Sequence, residues 1–401
     1  MKLWKKISIG LLCVAFLSQI PFIVSRWNTG TLASQIDEQN SNRKQYTDSE
    51  YKDYTGVIHV HSFLGGHSTG TFNELISSAQ VNKLDYVVMT EHVSDSYDTS
   101  AMTLQGKNKD ILFIGGSETS TKDGNRFLVL SGFPELSKTN KKNAPEFISE
   151  AHALNKLTFV TYPHKFKAWD EDIDGIEIFS LHTNAKSMNP ITFLFNAIWS
   201  YRSYPELTLA RYFKRPKENL AKFDELAKKK KLTLFAGSDA HSNLGIHFGD
   251  DSNNKYLNLK FDRYETIFRL VRTHVLLPKE KELNQENLLF ALKNGNAFIG
   301  FDILGDTSGF MFVAENEKEI KILGEEILLE DGKIKLKSKA PQNARFVLFR
   351  NGEKVYEAEE RGEISFAVSK EGAYRIEVYL DSLGSPFNEM PWIISNPIYV
   401  R

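Results

Sequence analysis

The stretch Leu84-Asp85-Tyr86-Val87-Val88-Met89-Thr90-Glu91-His92 decides how the rest of the chain is read. Its apolar centre is short and partly β-branched, bounded by Asp85 on one side and polar residues on the other. That suits a strand buried on both faces better than a helix. An acid and an imidazole follow at its carboxyl end. The same arrangement recurs outward in both directions. Residues 56–60 run into His59-Val60-His61, and 111–115 into Gly116-Ser117-Glu118. Residues 158–161 run into Tyr162-Pro163-His164, and 233–236 into Gly237-Ser238-Asp239-Ala240-His241. Further strand candidates lie at 127–131 and 175–179, and helical patterns at 72–83, 144–155 and 218–230. Alternation of this kind predicts a parallel α/β architecture. Polar residues at the carboxyl ends of successive strands predict a closed barrel, since an open sheet would not bring so many strand ends to one point.

The residues at those ends are chemically alike. His59 and His61 are two apart and therefore share one face of an ideal strand. His67 follows in a loop whose Gly65, Gly66 and Gly70 permit the bends that return it to the strand end. With His92, His164 and His241 they supply six imidazoles, joined by the carboxylates of Glu118 and Asp239. A lone His-X-His recurs by chance; eight ligand-type residues in this arrangement predict a centre for two or three divalent ions with positions left for water and substrate. The one cysteine, Cys13, lies in the N-terminal apolar segment, so thiolate ligation and disulfides are excluded from the rest of the chain. His152, His247 and His274 fall outside the motifs and read as ordinary structural histidines.

These segments, in this order, resemble the PHP family, named from polymerase and histidinol phosphatase domains. The likeness rests on His59-Val60-His61-Ser62, Gly70-Thr71 leading into a helix, the 84–92 stretch, Gly116-Ser117-Glu118, Pro163-His164 and Gly237-Ser238-Asp239-Ala240-His241, and spans residues 54–301. It implies a distorted TIM-like barrel of seven β/α units around two or three divalent ions of zinc, manganese or iron. By the same resemblance His59, His61, Glu118 and Asp239 hold one ion and His67, His92 and His241 a second. Glu118 bridges towards a third at His164. One departure stands out. Arg126 occupies the place where members with three metals usually carry a histidine, so a two-metal site is an open alternative. An arginine cannot ligate a cation, but its planar fork suits a phosphate oxygen. His182 is either a substrate contact, a compensating ligand or an ordinary loop histidine.

The activity implied is hydrolysis of a phosphomonoester or phosphodiester by a metal-activated hydroxide. Asp239 or His241 would take a proton or orient the nucleophile, and Arg126 would clamp the anion. Two alternatives remain: an amide or carboxylic-ester hydrolase on the same barrel, and a non-catalytic exported binding protein with structural metals. Intact ligands at most strand ends favour an enzyme, and Arg126 favours an anionic substrate.

The ends of the chain add context. Lys2, Lys5 and Lys6 precede a mostly apolar run at 7–24. A bilayer-spanning helix needs about 17–25 apolar residues, so residues 1–25 read as a cleaved signal or a retained anchor that places the rest outside the cytoplasm. Residues 26–53 are polar and read as a tether. Fifty basic residues nearly balance 51 acidic ones, so no nucleic-acid partner is expected. The run Lys228-Lys229-Lys230-Lys231 reads as a solvated helix end. Residues 189–215 form an aromatic, arginine-bearing insertion that lies on a membrane, covers a lipid-like substrate, or packs as core. From 302 to 401, alternating segments at 333–337, 344–350, 354–357, 363–368 and 374–380 predict a small β-sandwich, with turns at Asp331-Gly332, Asn351-Gly352 and Glu371-Gly372. Met390 to Val400 reads as a last strand folding back on the barrel. Expected partners are a phosphorylated small-molecule or lipid-like substrate and the membrane.

Overall fold

The computed structural model describes residues 3–44, 50–132, 141–243, 245–249, 255–329 and 333–401. The Asp331-Gly332 turn and the side chain of His247 lie outside the described residues. The fold is mixed α/β with a large sheet. Strand β1 (Tyr51–Val60) is parallel to β2 (Tyr86–Met89) on one side. Outward from β2 come β4 (Ile111–Ile114), and beyond a short break their continuations β3 (Glu91–His92) and β5 (Gly116–Ser120), all parallel. Next are β6 (Arg126–Leu130), β7 (Leu157–Val160) and β8 (Gly175–Ser180). Then β9 (Thr233–Ala240) pairs with β8 and, on its other side, with β1, so the pairings return to the first strand.

One expectation fails here: β6 runs antiparallel to both neighbours. Only residues 121–125 join β5 to β6, with Gly124 at φ 81° in the left-handed region. A parallel crossover needs about a dozen residues or more, so this link makes a hairpin.

The buried strands sort their residues by parity, as a pleated strand must. Val57, Val87, Phe113, Phe127 and Val129 face one cluster with the helices, meeting Leu75 and Ala79 of α2 (Phe72–Val81) and Phe147 of α3 (Ala144–Ala153). Ile58, Val88, Ile114, Leu128 and Phe159 face a second, separate cluster, which Leu288, Ala291 and Leu292 of a later helix join. Both helices start on reciprocal caps, Thr71 with Glu74 and Asn143 with Glu146, which satisfy the first free backbone donors.

The expected 26–53 tether is also corrected. Helix α1 continues without interruption from Leu3 to Ser41, and β1 already begins at Tyr51. Thr29, Leu32 and Ile36 recur at helical spacing and are buried against the body of the protein, and that tertiary contact overrides the weak helix propensity of the polar stretch.

The C-terminal segments are fewer and longer than expected. Residues 333–337 and 344–350 belong to one strand, β13 (Lys335–Arg350), and 354–357 and 363–368 to its partner β14 (Glu353–Ala367). Register shifts let both bend instead of break. Asn351 and Gly352, both at positive φ, make the tight turn between them. Of the remaining strands, β10 (Arg272–Pro278) lies antiparallel to β1, β11 (Ala297–Gly300) to β10, and β12 (Met311–Glu315) to β13. Strand β15 (Gly372–Tyr379) pairs with β13. Near the terminus β16 (Ile393–Ser395) pairs with both β11 and β15, so hydrogen bonding is continuous between the two parts. Asn396 adds side-chain bonds to both backbone groups of Leu234 on β9. The buried Arg375 makes a two-pronged bond to Asp224 at 2.6 and 2.7 Å, and Arg215 grips Glu377 in the same way.

Removing one partner of such a pair strands the other charges. Arg375→Met should cost roughly 3–5 kcal/mol in denaturant unfolding, because Asp224 and Glu377 lose a buried cation. A second prediction concerns His274, fully buried between Asp53 (2.8 Å) and Asp302 (3.4 Å). Burial opposes its charge, but the two carboxylates outweigh it and push the pKa up to about 10, while burial of Asp302 is outweighed by His274 and its pKa falls to about 2. The histidine's contribution is thus complete below its ordinary 6.5 and disappears as pH rises through about 10; that of Asp302 is present above its ordinary 3.8 and disappears as pH falls through about 2. Melting temperature should decline on the alkaline side in the parent, and this decline should be missing from His274→Gln.

Candidate metal centre

Strand alternation alone does not bring His59 and His61 together. The register of β1 shifts between Ile58 and Val60 against both neighbours, and His59 sits at φ 69°. This bulge re-aims the His59 ring, and His61 lies just past the strand end. Tyr162 (φ 51°) and Asp239 (φ 45°) are also left-handed. Such conformations cost of order 1–3 kcal/mol each for residues with a side chain. The surroundings hold them: Ser238 donates to the His59 carbonyl at 2.8 Å, and Tyr264 donates to that of His61 at 2.5 Å.

The result is a cluster of His59, His61, Glu118 and Asp239, all buried. His59 Nε2 lies 3.3 Å from Glu118 Oε2 and 3.4 Å from Asp239 Oδ1, and His61 Nε2 is 3.5 Å from each of the same oxygens. Donors about 2.0–2.1 Å from one tetrahedral zinc ion stand roughly 3.3–3.4 Å apart, which is this spacing. Both ring nitrogens of His61 and Oδ1 of Asp239 are buried without a hydrogen-bond partner. Buried polar atoms are rarely left so, and a cation at their meeting point would satisfy them. The donor set is nitrogen and oxygen, suited to zinc, manganese or iron.

Electrostatics supports the same assignment. Burial of Glu118 is outweighed by its bond to His59, leaving its pKa at about 2, and Asp239 is held well below the carboxylate range by the His59 charge. Burial pulls His61 and His92 down to about 4, so both present lone pairs. His59 goes the other way: burial opposes its charge, but Asp239 and Glu177 hold its pKa well above normal. A cation binding here would displace that proton, as ligand imidazoles must be neutral.

A second group joins His61, His92 and His241, with His61 stacked between the others at ring separations of 4.6 and 4.2 Å. The resemblance had placed His67 here in place of His61. His67 instead packs its ring edge-on to His92 at 4.9 Å and lies outside the group. His164 joins neither group; its ring is 6.2 Å from that of Tyr162. Glu118, expected to bridge towards it, instead accepts Arg126 Nη1 on Oε1 at 3.0 Å. Arg126 lies over the Tyr162 ring and is 44% exposed, so its remaining donors reach solvent. His182 lines the same cavity, its ring 6.3 Å from that of His241.

Three contributors escaped the reading of the sequence. Glu177 bonds His59 Nδ1 at 2.7 Å and accepts from Thr161 at 2.5 Å. Its signal was an acid inside the apolar run Gly175-Ile176-Glu177-Ile178-Phe179, where an unpaired charge would be untenable. Gly237 is needed opposite it, since a Cβ there would stand 1.6 Å from Glu177 Oε1. Tyr162 donates to Asp239 Oδ2 at 2.9 Å, and burial with the Asp239 charge keeps its phenol protonated. Glu91, in the opening stretch, accepts from Ser62 and Thr103 and so braces the loop after His61. Gly66-His67-Ser68-Thr69-Gly70 has the spacing of a serine-hydrolase nucleophile elbow, also passed over, but Ser68 donates its hydroxyl to the His241 carbonyl and follows no strand.

The centre opens into a cavity of about 760 Å³. Its lining combines Arg126, Tyr162, His182, Asp239 and His241 with the apolar Phe193, Leu209, Phe213 and Phe261. No family model and no curated protein sequence matches the chain. Among solved structures it is similar to PsfC from Pseudomonas syringae, at 15% identity and a TM-score of 0.39 over 62% of this chain and 92% of that one. It is also similar to a two-domain protein from Bacteroides vulgatus containing a predicted PHP-like metal-dependent phosphoesterase, at 13% identity and a TM-score of 0.37 over 89% and 97%. These similarities are too distant to carry activity across.

Metal titration checks the centre directly. The chain should take up manganese or zinc with a rise in melting temperature, and Asp239→Ala with His61→Ala should abolish uptake. Glu177→Gln should weaken it about 10–100-fold, the usual effect of losing the partner that orients a ligand imidazole.

Proposed function

We propose that this protein is a metal-dependent phosphoesterase acting outside the cytoplasm. In this reading residues 54–301 form a distorted seven-unit β/α barrel and 302–401 a β-sandwich module docked on it. The ring of strand pairings and the two clusters divided by side-chain parity support the barrel. The observation that carries the function is the pair of buried, unpartnered ligand atoms His61 Nε2 and Asp239 Oδ1, 3.5 Å apart, with Asp239 lining a cavity. His59, His61, Glu118 and Asp239 would hold one divalent ion and His61, His92 and His241 would serve a second, with His67 and His164 as outer candidates. Such ions supply Lewis-acid charge and make water acidic enough to act as a nucleophile near neutral pH.

The chain's own residues supply the rest. Arg126 is anchored through one nitrogen to Glu118 and offers the others to a phosphate oxygen, with Lys186 also on the cavity wall. His241 Nδ1 lies 2.9 Å from the Asp239 carbonyl, which only accepts, so that nitrogen carries the proton and Nε2 the lone pair. His241 is thereby set to bind a cation or take a proton, and His182 stands beside it. The protonated Tyr162 holds one Asp239 oxygen and leaves the other for the shared point. A neutral amide or ester would offer no charge to the Arg126 nitrogens that Glu118 leaves free, which favours the phosphate reading.

Manganese- or zinc-loaded protein should hydrolyse chromogenic phosphomonoesters or phosphodiesters, and His61→Ala with Asp239→Ala should remove the activity. Arg126→Ala should raise KM about 10–100-fold, the worth of a charge-assisted hydrogen bond. Turnover of chromogenic carboxylic esters or amides with none of phosphates would refute the assignment.

A further inference from the structure

The aromatic insertion does two things at once. Leu207, Ala210 and Phe213 are buried, yet Ile191, Leu194, Ile198 and Trp199 are exposed on its outer side. Helix α4 (Leu181–Lys186) leads into it, followed by α5 (Pro190–Asn196), a π-helical turn at Ala197–Tyr201, and α6 (Pro205–Ala210). Short as it is, α5 shows three faces. Phe193 points into the cavity, Phe195 packs on Phe22 of α1 at 5.1 Å, and Ile191 and Leu194 face outward. The contact with α1 is extensive: Ser25 bonds Asn196 at 3.0 Å, Trp199 bonds Gln19 at 3.2 Å, and Arg26 lies over Tyr204 at 4.5 Å.

That contact fixes where a bilayer would lie. The most apolar part of α1 is unburied; contact with the insertion starts at Gln19, and full burial at Thr29. From Leu3 to Phe22, at about 1.5 Å per residue, the helix rises roughly 30 Å, the thickness of a bilayer's hydrocarbon core. The membrane surface then falls near Phe22 to Trp27, with Trp27 and Arg26 at the polar boundary where such residues settle. The exposed apolar side chains of the insertion are at that same level. The same insertion contributes Phe193, Leu209 and Phe213 to the lining of the cavity that Arg126 and Asp239 also line.

We propose that the substrate is a phosphorylated lipid of the membrane that α1 enters. Its phosphate reaches Arg126 and the ligand cluster, and its hydrocarbon chain lies along Phe193, Leu209, Phe213 and Phe261. The proposal rests on the phosphoesterase reading and specifies its substrate class. In the reaction phosphorus gains the oxygen of water, the bond from phosphorus to the lipid oxygen breaks, and that oxygen leaves with a proton as the lipid alcohol.

Full-length, manganese-loaded protein in phosphatidylcholine vesicles tests this, offered dioleoyl phosphatidic acid in the bilayer and glycerol 3-phosphate in solution. The expected kcat/KM for the lipid is at least about tenfold higher, because lipid and anchored enzyme share one surface and so meet at a raised effective concentration. Leu194→Asp with Ile198→Asp should erase the preference and leave glycerol 3-phosphate turnover unchanged, while Phe193→Ala should raise the KM for the lipid. Equal use of both substrates would overturn the lipid assignment and leave the phosphoesterase reading standing. If neither these nor chromogenic phosphodiesters are hydrolysed, the phosphoesterase reading fails, and binding decides the rest. Saturable energy transfer from tryptophan to a pyrene-labelled phosphatidic acid, lost in Phe193→Asp, supports the lipid site; transfer that ignores the substitution refutes it.

Discussion

The imidazole of His59 is the contact on which the site depends. Nδ1 meets Glu177, and Nε2 meets Glu118 and Asp239, so one ring on β1 joins carboxylates from β5, β8 and β9. All three carboxylates are buried. Ionised carboxylates so close together and out of water repel one another strongly, and positive charge at their centre reverses the balance. A charged His59 supplies it in part; a divalent ion would supply more. The strand ends therefore converge around a demand for positive charge, and the same demand defines what binds there.

Rigidity around this point comes from several directions. Tyr264 and Ser238 fix the backbone of the two histidines, and Tyr162 fixes Asp239. Strand β9, which carries Asp239 at its far end, is held near its beginning by Asn396 from the C-terminal part. Arg375 and Arg215 tie that same part to Asp224 and to the end of the insertion. The C-terminal segment contributes no residue to either ligand group, yet it braces a strand that does. The apolar wall of the cavity, in turn, is braced by α1.

Much of this was legible in the amino-acid order because burial on both faces leaves a plain mark. Runs such as Tyr86-Val87-Val88-Met89 announce strands, and an acid or histidine directly after them announces the end where chemistry gathers. What stayed hidden was decided by geometry that the alphabet does not spell. The reversal of β6 turns on a five-residue link, and its residues Asp123-Gly124-Asn125 lie between two runs that each read equally well as a parallel strand. The bulge at His59 inserts a left-handed residue that is not glycine, against the usual preference. The contacts of Arg126 and the absence of His164 from the ligand groups depend on tertiary placement. The polar part of α1 looked unstructured because its order comes from the surface it lies on, with only Leu32 and Ile36 to hint at it.

The left-handed backbone at His59, Tyr162 and Asp239 has a consequence for how the protein can be altered. Glycine or asparagine would sit more comfortably at each of these positions, so selection for thermal robustness alone would drift towards them and away from the residues that do the work. The centre is thus a place where durability and usefulness pull in opposite directions. Ligation narrows the gap, since an ion that binds the native state alone rewards the uncomfortable conformation in proportion to its own free concentration.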